Sequence, residues 1–333
     1  MGFFDFLGRP MGLLINLFYS FFGNFGMSII AFTIVITMAM IPLDIRQQKS
    51  AAGQFRIRPK LDALRKKYPN DKRKYQEEMM DLQRREGISM VGGCSTMLIR
   101  MPFLFGIFAA IRNPLSSIAG YSRDYISLAR EILAERLDMS YSSVTELYIW
   151  RNLDPVTENS PGLAAEIIEN VPGLATARDS IDFYFLGLDL SQTPVPEFFN
   201  FASWEPSAIW IIPFMCLVFT LGTTIVTMQM NKRNPGMQMG SPMGAPTATP
   251  GSAPGGKLMY IMPLISVGFA MAMPGAVGLY WACSSLFGGI VRICVSRAYS
   301  PSKVNAKRDF QLIMKRRQEE ALIKKRHSIA TDN

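Results

Sequence analysis

The residue with the clearest chemical consequence is Arg100, which lies inside the apolar segment 93–111. Burying an arginine in hydrocarbon costs about 2.5–3.5 kcal/mol on insertion scales, so a membrane helix directs it toward a polar or hydrated interior. From the polar end of the segment near Cys94, Arg100 lies ~9 Å deep at helical rise. A role in binding a substrate is favoured over the alternative, a structural arginine that extends to the membrane surface.

Hydroxyl side chains form polar faces on other apolar segments. Four threonines in segment 206–230 recur at i, i+3, i+4 and i+7, which is the spacing of one helix face. Such threonines commonly bond their own backbone or join helices, and that alternative stays open. With a charge in a neighbouring segment, these faces favour a hydrated groove that binds a substrate. The candidate groove residues are Arg100, Thr33, Thr37, Thr220, Thr223, Thr224, Thr227, Tyr280, Trp281 and Ser284.

Covalent and metal chemistry have no residues to support them. The four cysteines show no CxxC spacing, and the single histidine, His327, lies in a polar tail. The apolar segments contain no lysine or histidine to serve as a base, and the chain has no Walker A or dinucleotide-binding glycine motif. The sequence therefore predicts a protein that is not an enzyme and needs no metal or cofactor.

The elements that hold these residues are long uncharged segments in a chain that is 49% apolar and only 18% charged. No charged residue falls between Arg9 and Asp44, between Glu205 and Lys232, or between Lys257 and Arg292. Each stretch exceeds the ~20 apolar residues that cross a hydrocarbon core. Pro274-Gly275 divides the last stretch into two helices, each ~24 Å long. Together with the segment that contains Arg100, these stretches predict five spans.

The charged residues between the spans predict their orientation. Segment 44–92 has 13 basic and 7 acidic residues, whereas segment 112–205 has 6 basic and 14 acidic residues. Segment 231–257 has 3 basic and no acidic residues, and segment 297–333 has 10 basic and 4 acidic residues. Basic segments lie on the cytoplasmic side of a membrane. We therefore expect a multi-pass plasma-membrane or inner-membrane protein with its N-terminus outside and its C-terminus in the cytoplasm.

The predicted fold is all-α, with interfacial and hairpin helices beside the spans. The aromatic-rich N-terminal segment predicts an interfacial helix rather than a sixth span, which would reverse the charge asymmetry. Apolar stripes on both sides of Pro69-Asn70-Asp71 predict a cytoplasmic helical hairpin. Helical patterns over 125–137 and 164–170 predict a mostly helical outer cap. The predicted divisions are 1–24 (interfacial helix), 25–43 (first span), 44–92 (hairpin), 93–111 (second span), 112–205 (acidic cap), 206–230 (third span), 231–257 (disordered linker), 258–273 (fourth span), 275–296 (fifth span) and 297–333 (basic tail).

Several short motifs occur in order between these spans. They are Ile41-Pro-Leu-Asp-Ile-Arg-Gln-Gln-Lys-Ser50, Pro59-Lys-Leu, Lys66-Lys-Tyr-Pro-Asn-Asp, Glu77-Glu-Met-Met, Gly92-Gly-Cys, Met101-Pro102, Phe185-Leu-Gly-Leu-Asp-Leu190, Met259-Tyr-Ile-Met-Pro263 and Pro274-Gly-Ala-Val-Gly-Leu-Tyr-Trp281. Each motif is weak alone. In this order, over about residues 25–111 and 184–296, the chain resembles the YidC/Oxa-type membrane protein insertases.

The resemblance implies a groove that opens to the cytoplasm and to lipid and is closed on the outside. A positive charge in the groove would receive nascent membrane proteins before their release into the bilayer. The hairpin and the basic tail would meet the ribosome or targeting factors, and the Sec translocon is a further candidate partner. The family usually has Arg or Lys where this chain has Thr37, and more often has glutamine where this chain has Arg100. We hypothesise that the groove charge has moved between facing helices.

Two other functions remain open at this stage. A subunit of a small-solute transporter would require paired ionisable groups or inverted repeats, and neither is visible in the sequence. A membrane scaffold with an extracytoplasmic binding cap would not need a hydrated charge at Arg100. Water access to Arg100 would distinguish the scaffold from the insertase.

Overall fold

The computed structural model describes residues 3–87, 94–141, 144–153, 162–195, 207–233 and 255–331. Within these ranges the chain is mostly helical, as predicted, with one small antiparallel sheet. The elements are α1 (Phe3–Phe22), α2 (Phe25–Lys67), α3 (Lys72–Arg85), α4 (Cys94–Arg112), α5 (Pro114–Ser117), α6 (Arg123–Arg136), α7 (Glu146–Leu153), α8 (Leu163–Asn170), α9 (Leu174–Asp179), β1 (Tyr184–Phe185), β2 (Leu188–Asp189), a 3-10 turn (Ala208–Trp210), α10 (Ile211–Arg233), α11 (Gly255–Ala272), α12 (Gly275–Ala298) and α13 (Pro301–Thr331).

Among the described residues, three helical segments are long and apolar enough to cross a bilayer: Phe25–Ile57, Ala208–Met230 and Gly275–Ala298. The predicted second and fourth spans correspond to α4 and α11, but side chains in the first half of each helix lie outside the described residues. The structure therefore supports a multi-pass membrane protein, while the count of five spans stays a prediction.

The chain divides into two compact units. The first comprises Met1–Met40, Met97–Ile225 and Ala248–Gly289, and the second comprises Ile41–Thr96, Val226–Thr247 and Ile290–Asn333.

An aromatic cluster lies in the core of the first unit. The ring of Phe183 lies 4.5 Å from that of Phe25 and 4.7 Å from that of Trp150, measured between centroids. The cluster therefore joins the start of α2 to α7, which belongs to the segment predicted to form the outer cap.

Helix α1 packs closely on α5 at Gly12. A methyl group on Gly12 would lie 2.2 Å from the carbonyl oxygen of Ser117, so a side chain there would push the helices apart. On other positions of α1, Leu13, Leu17 and Phe21 are largely exposed. One part of the helix therefore packs on protein while other apolar side chains remain exposed, and its interfacial position stays a prediction.

The segment between α9 and the 3-10 turn contains a β-hairpin, which the all-α prediction missed. Tyr184 pairs with Asp189 and Phe185 pairs with Leu188. The two loop residues have positive φ angles, 51° at Leu186 and 80° at Gly187. Positive φ at both loop positions is the geometry of a type I′ turn, whose twist matches that of paired strands. The usual Asn-Gly signal is absent because leucine occupies the first loop position.

In the second unit, the C-terminal part of α2 and α3 form the predicted helical hairpin. Ile57, Leu61 and Met79 are buried in one apolar cluster, so the two stripes face each other. Asp71 caps α3, because its carboxylate accepts a hydrogen bond from the backbone N–H of Lys74 at 3.0 Å. The turn is where the sequence predicted it, and the cap is a finding of the structure.

Two helix boundaries differ from the prediction. α2 continues from the first predicted span into the hairpin without a break, even though it contains Pro42 and Pro59. The predicted disordered linker 231–257 is helical at both ends, because α10 reaches Arg233 and α11 begins at Gly255. Residues 234–254 lie outside the described residues.

Candidate functional site

Arg100 belongs to α4, as predicted, but its side chain lies outside the described residues. The same holds for the other side chains over 91–101. That Arg100 shares a groove with the other candidate residues therefore stays a prediction.

The groove candidates on α2 form a ladder of hydroxyl groups bonded to their own helix. Thr33 is buried, and its hydroxyl donates to the carbonyl of Ile29 at 2.6 Å. The hydroxyl of Thr37 donates to the carbonyl of Thr33 at 2.7 Å, and Thr37 is half-buried. Each hydroxyl oxygen keeps acceptor capacity for a further donor.

Two threonines of α10 bond to their own helix and a third bonds across to α12. The hydroxyls of Thr223 and Thr224 both donate to the carbonyl of Thr220, at 3.0 and 2.7 Å. The hydroxyl of Thr220 donates to the hydroxyl of Ser285 on α12 at 3.4 Å. Thr227, the last of the four, is buried. Much of this face is therefore covered by protein rather than open.

Three glycines of α12 are in close contact with α10 or with the 3-10 turn before it. In each pair, the residue on α12 follows its partner by 66 positions in the sequence. A constant offset means that α10 and α12 run parallel. A methyl group added to any of the three glycines concerned would lie 2.2–2.8 Å from a side-chain atom of its partner, so these side chains pack directly on the glycines. The pairs are Ile209 with Gly275, Ile212 with Gly278, and Thr223 with Gly289.

The contact surface of α12 is a row of small residues spaced alternately by three and four positions: Gly275, Gly278, Ala282, Ser285 and Gly289. This spacing is that of a left-handed helix pair, and small residues let membrane helices approach closely. We call this row and its partners on α10 the seam. Ser285 and the seam glycines were missed as candidates, although their spacing was visible in the sequence.

The remaining candidates lie near one another on α12. Tyr280 is buried, and its ring centroid lies 6.4 Å from that of Phe32 on α2. Trp281 is half-buried and stacks on Phe269 of α11, with 6.1 Å between centroids and 11° between planes. Ser284 is half-buried. Aromatic contacts thus connect α12 to α2 and to α11, and place Tyr280 beside the residue that precedes Thr33.

In the second unit, Glu86 joins the two helices of the hairpin. Its carboxylate accepts hydrogen bonds from Arg56 at 2.6 Å and from Lys60 at 2.5 Å. The hydrogen bond from Lys60, with the nearby charges of Arg56 and Arg308, lowers the pKa of Glu86, although partial burial opposes the shift. The end of α3 is thereby fixed against α2.

The first turns of α13, with the short link that joins it to α12, pack on the same hairpin. Arg308 donates to the carbonyl of Glu86 at 3.2 Å, and Asn305 donates to the carbonyl of Ala52 at 3.2 Å. The ammonium of Lys49 lies 5.2 Å from the ring centroid of Tyr299. Further along α13, large apolar residues such as Phe310 and Ile323 are exposed among basic ones.

Curated relatives match part of this chain. Proteins named membrane protein insertase YidC from Bradyrhizobium diazoefficiens, Beijerinckia indica and Nitratidesulfovibrio vulgaris are 40%, 38% and 36% identical over 110, 127 and 115 residues. These alignments cover 33%, 37% and 34% of this chain but only 18%, 21% and 22% of the relatives. The chain thus matches about a fifth of the length of these proteins.

A family model gives broader coverage than the individual relatives. The model for the 60Kd inner membrane protein matches residues 17–303, a range that contains every groove candidate and the hairpin. That range covers most of the chain, so the resemblance seen in the sequence is confirmed at the level of the family. The chain therefore belongs to the 60Kd inner membrane protein family, the YidC/Oxa family that its sequence motifs resemble.

Proposed function

We propose that this protein receives hydrophobic nascent chains and releases them into the lipid bilayer as a membrane protein insertase. The observation that carries the proposal is the family match over 17–303, because that range includes the candidate spans and the hairpin together. The relatives named as insertases support it. Physics is consistent, since a polar segment that enters a hydrated groove avoids part of its desolvation cost.

We propose five spans, with the N-terminus outside and the C-terminus in the cytoplasm. The parallel course of α10 and α12 supports this topology. Two spans that run in the same direction require the chain to cross the membrane again between them, and α11 lies between them in sequence. The alternation of basic and acidic segments supports the orientation.

We propose that Arg100 supplies the positive charge of the groove and that Thr37 and Ser284 belong to its polar lining. Both hydroxyl residues are half-buried, so neither is sealed inside the core. Thr220 and Thr223 have a different role in this proposal, because they contact α12 in the seam. The proposed groove is therefore lined by fewer of the candidate residues than the sequence alone suggests.

The hairpin and the basic tail are proposed to meet the ribosome or a targeting factor, with the Sec translocon as a further partner. The ion pairs of Glu86 support a hairpin that presents one fixed conformation. Exposed basic and apolar residues along α13 support a contact with an anionic surface.

The test is insertion of a short single-span protein into liposomes that contain this chain. Wild type should insert the test protein, Arg100→Ala should fail, and the double variant Thr37→Arg/Arg100→Gln should recover activity. Arg112→Ala is the control, because Arg112 is an exposed arginine at the other end of α4.

The outcomes separate the function from its mechanism. If wild type and Arg100→Ala insert equally well, the insertase function stands and the assigned role of Arg100 is wrong. If wild type inserts nothing, even with ribosomes present, the proposed function itself is refuted.

A further inference from the structure

The tip of the β-hairpin combines an unusual backbone with an unusual exposure. Leu186 has φ of 51°, a left-handed conformation that bulky residues rarely adopt and that asparagine or glycine adopts more readily. Its side chain is 85% exposed, the most exposed among the large apolar residues of the described part of the chain. An exposed leucine buries no apolar surface in water, so it does not offset the cost of its backbone conformation. Contact of the side chain with an apolar environment would offset that cost.

The hairpin is fixed beside the start of the first candidate span. A methyl group on Gly26 would lie 2.2 Å from the ring of Phe185, so β1 is in close contact with the first turn of α2. The side-chain amide of Asn24 donates to the carbonyl of Tyr184 at 3.4 Å. The backbone N–H of Asp182 donates to the hydroxyl of Tyr19 at 3.0 Å. The tip is therefore held at the level where α2 begins.

Other exposed apolar residues lie on the elements that the hairpin contacts. The end of α1 and the start of α2 contribute two phenylalanines and a methionine, and the hairpin itself contributes a tyrosine and a leucine. We call this set the apolar collar. Its members, with their exposed fractions, are Phe21 (82%), Phe22 (42%), Met27 (41%), Tyr184 (36%) and Leu186 (85%).

We propose that the apolar collar is a lipid-binding surface in which Leu186 inserts below the headgroups of the outer leaflet. Lipid is favoured over a protein partner because the collar is continuous with the span that starts at Phe25. No charged residue falls between Arg9 and Asp44, so no charged side chain on α1's second half or on α2's first turns opposes immersion. Aromatic residues are enriched at this level of membrane proteins. The inference rests on the proposed orientation but not on insertase activity.

The test places a small environment-sensitive fluorescent amino acid at position 186 of the full-length protein in phosphatidylcholine and phosphatidylglycerol liposomes. Quenching is compared for iodide in the water, for a nitroxide near the lipid headgroup and for a nitroxide deep in the acyl chain. Tyr125 on α6 is the control position, because it is 45% exposed and lies outside the collar. A probe at Tyr184 provides a second collar position if the probe at 186 disturbs the turn.

The collar probes should be quenched several-fold more by the shallow nitroxide than the probe at Tyr125, and much less by iodide. Leu186→Asn should fold at least as well as wild type, because asparagine tolerates the left-handed backbone. With this variant, a probe at Met27 should become more accessible to iodide. Iodide access at both collar positions equal to that at Tyr125 would overturn the proposal, as would protection that requires a second protein. Neither result would bear on insertion of a test protein.

Discussion

Substitution of Gly289 by alanine tests whether the seam sets the spacing of α10 and α12. The new methyl group would lie 2.2 Å from Cγ2 of Thr223, which is too close for two carbon atoms. Overpacking of this kind costs about 1–3 kcal/mol. Gly288 is the matched control, because a methyl group there meets no atom within 4 Å. Gly288→Ala should be neutral or gain up to ~1 kcal/mol from helix propensity.

The assay is the free energy of unfolding in mixed micelles, titrated with a denaturing detergent. Gly289→Ala should be less stable than Gly288→Ala by about 1–3 kcal/mol. Thr223→Ser removes the clashing Cγ2 atom and keeps the hydroxyl, so the double variant should recover at least ~0.5 kcal/mol of coupling energy. If Gly289→Ala matches Gly288→Ala in stability, or Thr223→Ser restores nothing, the seam does not have the described geometry.

Two further predictions concern carboxylates outside the spans. The pKa of Glu86 is lowered, so its stabilising effect is complete above the ordinary carboxyl pKa and is lost as the pH falls through the lowered value. Glu86→Gln should therefore lower the stability of the hairpin at neutral pH by about 1 kcal/mol or less, which limited proteolysis would detect as faster cleavage. The variant should also remove the loss of hairpin stability at acid pH. Burial raises the pKa of Glu146, whose carboxylate accepts hydrogen bonds from the Ser116 hydroxyl at 2.6 Å and backbone N–H at 2.8 Å. The stability linked to a raised pKa is present at low pH and is lost as the pH rises. Glu146→Gln should therefore be as stable as wild type, or more stable, at neutral pH. Glu146→Ala should lose about 1–3 kcal/mol of stability in thermal unfolding, because it removes the hydrogen bonds with Ser116. Equal stability of both Glu146 variants would show that the Ser116 contact contributes nothing.

Turn residues and helical periodicity in the sequence predicted those elements whose formation depends on neighbouring residues. The turn Pro69-Asn70-Asp71 ends α2 and caps α3, because proline and an N-cap aspartate act on their own backbone. The pattern over 125–137 corresponds to α6, and that over 164–170 to α8, because their apolar residues recur at helical period.

Features that depend on distant contacts could not be predicted in this way. Pro42 is expected to interrupt a helix, yet α2 continues through it. The β-hairpin has leucine where turn rules expect asparagine, and it is held by packing of Phe185 on Gly26, far away in sequence.

The candidate groove was predicted in part. Helical periodicity placed the four threonines of α10 on one face, but periodicity does not say which neighbour covers that face. The structure shows that α12 covers it at Thr220 and Thr223. The glycine spacing on α12 could have indicated a close helix partner, although not that the partner is α10. The position of the Arg100 side chain remains a prediction.

The seam also sets an order of events during synthesis. Its contacts join residues 65 or 66 positions apart, so each seam position of α10 is synthesised that many residues before its partner on α12. At ~5–20 residues per second, that interval lasts about 3–13 s. During this time the seam positions of α10 lack their partners on α12. A membrane helix with a polar face and no partner helix is the kind of nascent segment that an insertase stabilises. This protein therefore passes, as a nascent chain, through the state that we propose it stabilises in others.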